Sequence, residues 1–100
     1  MRGKLTALTL ATALAVVTAP TSYADPGDAN FVQQLSSKGI NISDPPSTVG
    51  DEARMICQLW QDHWTIDTVK YSVKSSYPDL TDAQDRAFAI LAQKTYCPDA

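Results

Sequence analysis

Residues 81–97 read TDAQDRAFAILAQKTYC, and the fold turns on this stretch. Thr81 and Gln84 have the spacing of a capping box. The hydroxyl accepts from the backbone N–H three residues on, and the glutamine side chain reaches back to the first N–H. Behind them Ala83, Ala87, Ile90, Leu91 and Lys94 trace one edge of a helix, while Phe88, Leu91, Ala92 and Tyr96 trace another. The alanines let a neighbouring helix come close. Pro98 cannot continue the run, so the spacing predicts a helix from Asp82 to about Tyr96 with Cys97 at its end.

The other cysteine is Cys57, 40 residues earlier. It belongs to a second periodic stretch in which Ala53, Ile56, Cys57 and Trp60 stand at i, i+3, i+4 and i+7, with Leu59 widening the stripe. Ser47 or Thr48 is the expected cap, Asp51 and Glu52 sit where the helix dipole favours negative charge, and the helix is expected to reach Trp60 or Asp62. Cys57 then points into the core. Thr65 can cap a third helix from Ile66 to about Ser75, with Ile66, Val69 and Val73 inward and Lys70 and Lys74 on the wet side. Three β-branched core residues make it the weakest by propensity. Upstream, Asp28 is read as the cap of a helix over Ala29 to Lys38, with Phe31 and Leu35 on one face and Gly39-Ile40 as a Schellman-type stop. Asp44-Pro45-Pro46 makes an extended crossing. No segment alternates with a period of two. The predicted class is all-α, a compact bundle of about four short helices closed by one disulfide.

The chain opens differently. Arg2 and Lys4 precede an uncharged run from Leu5 to Val17, then Pro20 and the small residues Ser22-Tyr23-Ala24. That is the layout of a secretory signal peptide, residues 1–24, cleaved near Ala24. The run is too short for a span, which needs roughly 20 apolar residues. Residues 25–100 are then one domain, secreted or held in the cell envelope, with no transmembrane segment. Of 8 basic and 11 acidic side chains, Arg2 and Lys4 leave with the leader, moving the net charge from −3 to −5. Nucleic acid and anionic lipid, which require a basic patch, are excluded as partners. A domain this small is marginal on core burial alone, and in an oxidising compartment two cysteines offer one intramolecular bridge. A redox or metal pair is the other reading of two cysteines. Their spacing is not CxxC, and two thiolates with one histidine make a poor zinc set.

The residues that carry a family resemblance run through the whole of this segment. Asp28-Ala29-Asn30-Phe31, Leu35 and Gly39-Ile40 come first, followed by Asp44-Pro45, Gly50, Cys57 and Leu59. Leu80-Thr81, Gln84, Ala87-Phe88 and Tyr96-Cys97-Pro98 complete the series. It resembles the DUF732 family of small secreted proteins, found mainly in mycobacteria and their actinobacterial relatives. The resemblance implies an exported helical domain with a cysteine pair, here Cys57 and Cys97, and implies no catalytic or binding residues. One departure stands out. The family pattern offers a glycine in the turn after the second helix, where this chain has Asp62-His63-Trp64. Either the turn is made differently or the helix runs longer.

Trp60, His63 and Trp64 would share one helical face if that helix continued. An aromatic pair with a histidine can anchor a partner protein or take a flat apolar ligand, a sugar or haem. The plainer reading gives Trp60 to the core and leaves His63 and Trp64 as turn residues. Asp79, Asp82 and Asp85 lack the ligand pattern of a calcium loop, so no metal is expected. Tyr71, Tyr77 and Tyr96 are of a type that ligates haem iron, yet their spacing singles none out; Tyr96 reads as a core residue whose hydroxyl reaches the surface. With one histidine and no nucleophile motif the chain is read as non-enzymatic and without cofactor. The leading expectation is an exported interaction module for an unidentified protein or envelope component. The alternative is a carrier of a small apolar ligand or haem, marked by a pocket of at least about 300 Å³ bordered by Trp60, His63 and Trp64.

Overall fold

Four helices follow one another in the computed structural model, which describes residues 26–100: α1 (Pro26–Ser37), α2 (Pro46–Gln61), α3 (Ile66–Ser76) and α4 (Asp82–Tyr96). The signal peptide expected over residues 1–24, with its cleavage point, lies outside the described residues. α2 and α4 pack against each other as a spine. α1 and α3 each lean on both of them and barely meet one another. Cys57 in the middle of α2 is bonded to Cys97 at the end of α4, with Cα atoms 5.9 Å apart, a separation ordinary for a disulfide. Among the described residues there is no strand, and no helix is long and apolar enough to cross a membrane.

The helix ends show how the sequence sets the lengths. The capping box of α4 is complete: Thr81 Oγ1 accepts from the Gln84 N–H, and Gln84 Oε1 accepts from the Thr81 N–H. α1 stops as expected. Gly39 takes φ +81°, the Ile40 N–H donates to the Leu35 carbonyl and the Gly39 N–H to that of Ser36. That pair of bonds is the Schellman motif, and Ile40 and Leu35 are both buried beneath it.

Two expected caps are replaced. Asp28 does not cap α1, which begins two residues earlier at Pro26 and carries Asp28 inward in its first turn. Ser47 and Thr48 lie inside α2. Its N-cap is Pro45 and Pro46 holds the first helical position, with no side-chain cap. A proline loses nothing there, because the first N–H of a helix has no partner in any case.

The core is small and tightly shared. Phe31 and Leu35 come from α1, Val49, Ala53 and Ile56 from α2, Val69 and Val73 from α3, and Phe88, Ala89 and Ala92 from α4. Phe31 is wedged between Phe88 and Tyr96, each 5.4 Å away with rings near edge-to-face. The α2 stripe is as expected, extended backwards by Val49 and Gly50. On α4 the buried residues are Asp85, Phe88, Ala89, Leu91 and Ala92. The edge through Ala83, Ala87, Ile90 and Lys94 is peripheral, with Ala83 exposed. The other expected edge, through Phe88, Leu91, Ala92 and Tyr96, is the inward one; an apolar template misses only Asp85, a carboxylate at the first position of that face. Lys70 and Lys74 are not simply wet; both are drawn over the α3/α4 seam by carboxylates.

Candidate functional site

The α2–α3 turn holds the aromatic trio. α2 ends at Gln61, so Trp60, His63 and Trp64 do not share a helical face. His63 adopts φ +65°, its N–H donates to the Trp60 carbonyl, and the Trp64 N–H donates to that of Leu59. This is a second Schellman motif with histidine in the glycine position. The turn is therefore built as glycine would build it, and the helix runs no longer. Trp60 is half-buried against the core and its indole N–H donates to the Ala89 carbonyl at 3.0 Å, which locks α2 to α4. His63 is exposed, and Trp64 is 52% exposed. The structure thus separates the trio, with one tryptophan internal and the other presented to solvent.

Sequence reading missed a second cluster. Asp28 is only 2% exposed, and an isolated buried carboxylate is costly. It is fully engaged. Arg54 Nη2 of α2 donates to both carboxylate oxygens at 2.8 and 3.0 Å, and the Tyr96 hydroxyl of α4 donates to Oδ1 at 2.5 Å. The guanidinium also lies over the Tyr96 ring, 5.2 Å from its centre, and Nη1 donates to Asp51. The hydrogen bond to Asp28 holds the Arg54 pKa above its ordinary value. Gly50 makes the room: a Cβ there would collide with the Asp28 carboxylate. Tyr96 is therefore not a core residue with a surface-reaching hydroxyl, because its hydroxyl is spent on Asp28. The signal lay in the spacing of Asp28 and Phe31, which places a carboxylate beside a core aromatic.

Among the surface hollows formed by the described residues, four measure about 240 to 370 Å³. None of the four is bordered by Trp60, His63 or Trp64. The hollow between the α1–α2 and α3–α4 loops, about 280 Å³, is lined in part by Tyr77. Burial, with help from the charges of Glu52 and Asp44, pushes the Tyr77 phenol up to about 12. Among the described residues no group of three His, Cys, Asp or Glu side chains is placed to hold a metal ion.

Fold and cluster together define a class: a small four-helix domain whose α2 is pinned twice to α4, covalently at its end and through Trp60 at its middle, with a buried carboxylate clamp joining α1 to both. The chain belongs to the family described as protein of unknown function (DUF732), whose model matches residues 27–99. It is similar to an uncharacterized protein of Mycobacterium bovis and to uncharacterized proteins of two Mycobacterium tuberculosis strains. Each is 33% identical over 85 residues, which is 85% of this chain and 74% of the relative. No solved structure matches the chain.

Proposed function

We propose that this protein is a non-enzymatic interaction module, exported to the cell envelope or the medium, that docks an envelope component or another protein through the α2–α3 turn. The observation that carries the reading is Trp64. A tryptophan 52% exposed sits in a turn fixed by two backbone hydrogen bonds, one of them its own, so little backbone freedom is lost when it binds. Tryptophan is among the residues that dominate binding energy at interfaces. His63, the sole histidine, is exposed and borders none of the four hollows, a poor position for acid–base chemistry on a bound substrate. The carrier alternative draws no support from those hollows, which lie elsewhere. Export rests on the leader-like residues 1–24 and on the disulfide, since such bonds persist in oxidising compartments.

The test is comparative retention. Immobilised wild type, Trp64→Ala and Trp60→Phe are challenged with envelope and culture-filtrate extracts. Material retained by wild type and Trp60→Phe but lost with Trp64→Ala, which itself melts as wild type does, supports the module. Equal retention by all three removes the turn from the function.

A further inference from the structure

Asp85 lies at the start of α4 among acidic residues that the helix dipole would explain, yet it is 1% exposed and faces inward. Its Oδ2 is 3.1 Å from Lys74 Nζ. Its Oδ1 has no hydrogen-bond partner among the described residues. Buried carboxylate oxygens are almost always satisfied, so an orphaned one calls for a donor from outside. Asp85 also borders the α3/α4 hollow of about 370 Å³, together with Asp67, Lys70, Tyr71, Lys74 and Asp82. The volume falls within the range of small-molecule sites, roughly 300–1,000 Å³.

The chemistry of the lining is mixed in a particular way. Lys70 Nζ donates to both oxygens of Asp82, at 3.0 and 3.1 Å. Lys74 Nζ donates to the Leu80 carbonyl at 2.6 Å as well as pairing with Asp85. Each ammonium has three protons, and each carboxylate has more acceptor positions than these bonds fill. Beside them the Tyr71 ring is 73% exposed, an open aromatic face on a wall of paired charges. An anion would meet three carboxylates there and a cation two ammoniums. A hydroxyl suits both, since it donates and accepts.

We propose that the α3/α4 hollow binds one unit of a neutral saccharide, with hydroxyls donating to Asp85 and Asp82 and accepting from Lys70 and Lys74, and with the C–H face of the sugar ring stacked on Tyr71. The negative face of an aromatic ring attracts such C–H groups. For a hydroxyl to reach Asp85, whose Oδ1 is sealed from solvent, the Lys74 ammonium, on a flexible stem 42% exposed, must shift from the carboxylate to the ligand. None of the residues of the α2–α3 turn takes part, so this site and the turn stand or fall separately.

The experiment is an amide chemical-shift titration of the purified protein with glucose, mannose, galactose and arabinose as free sugars. Dextran serves as a neutral polymer, with putrescine and inorganic phosphate as cationic and anionic arms. The expected result is a saturable shift confined to residues 67–74 and 82–85 with at least one neutral sugar or with dextran. Tyr71→Ala, on an exposed residue and so without effect on folding, should weaken that binding about tenfold or more. Asp85→Asn tests the orphaned acceptor; should it unfold the protein, Asp82→Ala at the rim replaces it. A response to the polymer alone assigns the ligand to a polysaccharide rather than a free sugar. No saturable shift with any sugar or with dextran, a stronger response to putrescine or phosphate, or binding untouched by Tyr71→Ala would each overturn the proposal.

Discussion

The hydroxyl of Tyr96 donates to Oδ1 of Asp28 across a sequence separation of 68 residues, joining the first turn of α1 to the last turn of α4. Cys97, the next residue, is bonded to α2, and Arg54 of α2 closes the triangle on the same carboxylate. Covalent and polar ties thus converge at one end of the bundle.

Removing one member of the clamp strands the others. Tyr96→Phe should cost about 1.5–3 kcal/mol, the range for a hydrogen bond to a charged group. Asp28→Ala should cost about 2–4 kcal/mol, less than a fully buried pair because Arg54, 42% exposed, can rehydrate. Urea midpoints measure both. Little or no change in either variant would mean that the clamp does not contribute.

Gly50→Ala probes the same cluster by shape. Alanine is the better helix former by about 1 kcal/mol, yet its methyl would enter the space of a carboxylate that Arg54 and Tyr96 hold in place. The substitution should destabilise the wild type by about 1–3 kcal/mol and become neutral or favourable in an Asp28→Ala background. Additive effects in the double-mutant cycle would contradict the contact.

His63→Gly should stabilise the protein. A non-glycine residue with φ +65° carries roughly 1 kcal/mol of backbone strain. Part of the gain is returned through the greater freedom of glycine in the unfolded chain. A rise in melting temperature of about 3–6 °C is expected for a domain of this size, with His63→Val moving it the other way.

Reducing the disulfide, or Cys57→Ser with Cys97→Ser, removes about 4 kcal/mol of unfolded-state constraint for a loop of this length. The melting temperature should fall by well over about 10 °C. Tyr96→Phe should matter less in that background, since α4 then ends without its covalent anchor. An unchanged melting temperature would show that the bond has no part in stability.

Stability should fall at high pH through Tyr77. Its phenol is raised to about 12 chiefly by burial, against roughly 10 in the unfolded chain, so the folded state keeps a proton that the unfolded state releases. The contribution is whole below pH 10 and is lost as pH climbs toward 12. Urea midpoints across that window should drop in wild type and drop less in Tyr77→Phe.

Local chemistry was legible because it is written within a few residues. The capping box at Thr81 and Gln84, the stop at Gly39-Ile40, the α2 stripe that turns Cys57 inward and the pairing of Cys57 with Cys97 all appear as expected. The α2–α3 turn was legible only as a position, because nothing in Asp62-His63-Trp64 announces a left-handed histidine. The α2 stripe already marked Trp60 as internal, with His63 and Trp64 as turn residues; only the end of α2 at Gln61 decided how far Trp64 is exposed.

Asp28 and Asp85 show where local reading ends. Each stands near a helix start, where an acidic residue has a sufficient local explanation in capping or the dipole. Each is nevertheless buried, because partners distant in sequence arrive beside it: Arg54 and Tyr96 for Asp28, Lys74 for Asp85. The order of residues determined four amphipathic segments, the capping box of α4, the stop of α1 and one cross-link, since periodicity and turn chemistry act over one or two helical turns. Only the packing of α1 and α3 onto the α2/α4 spine decided which carboxylates lose water, because desolvation depends on what lies nearby in space and is invisible along the chain.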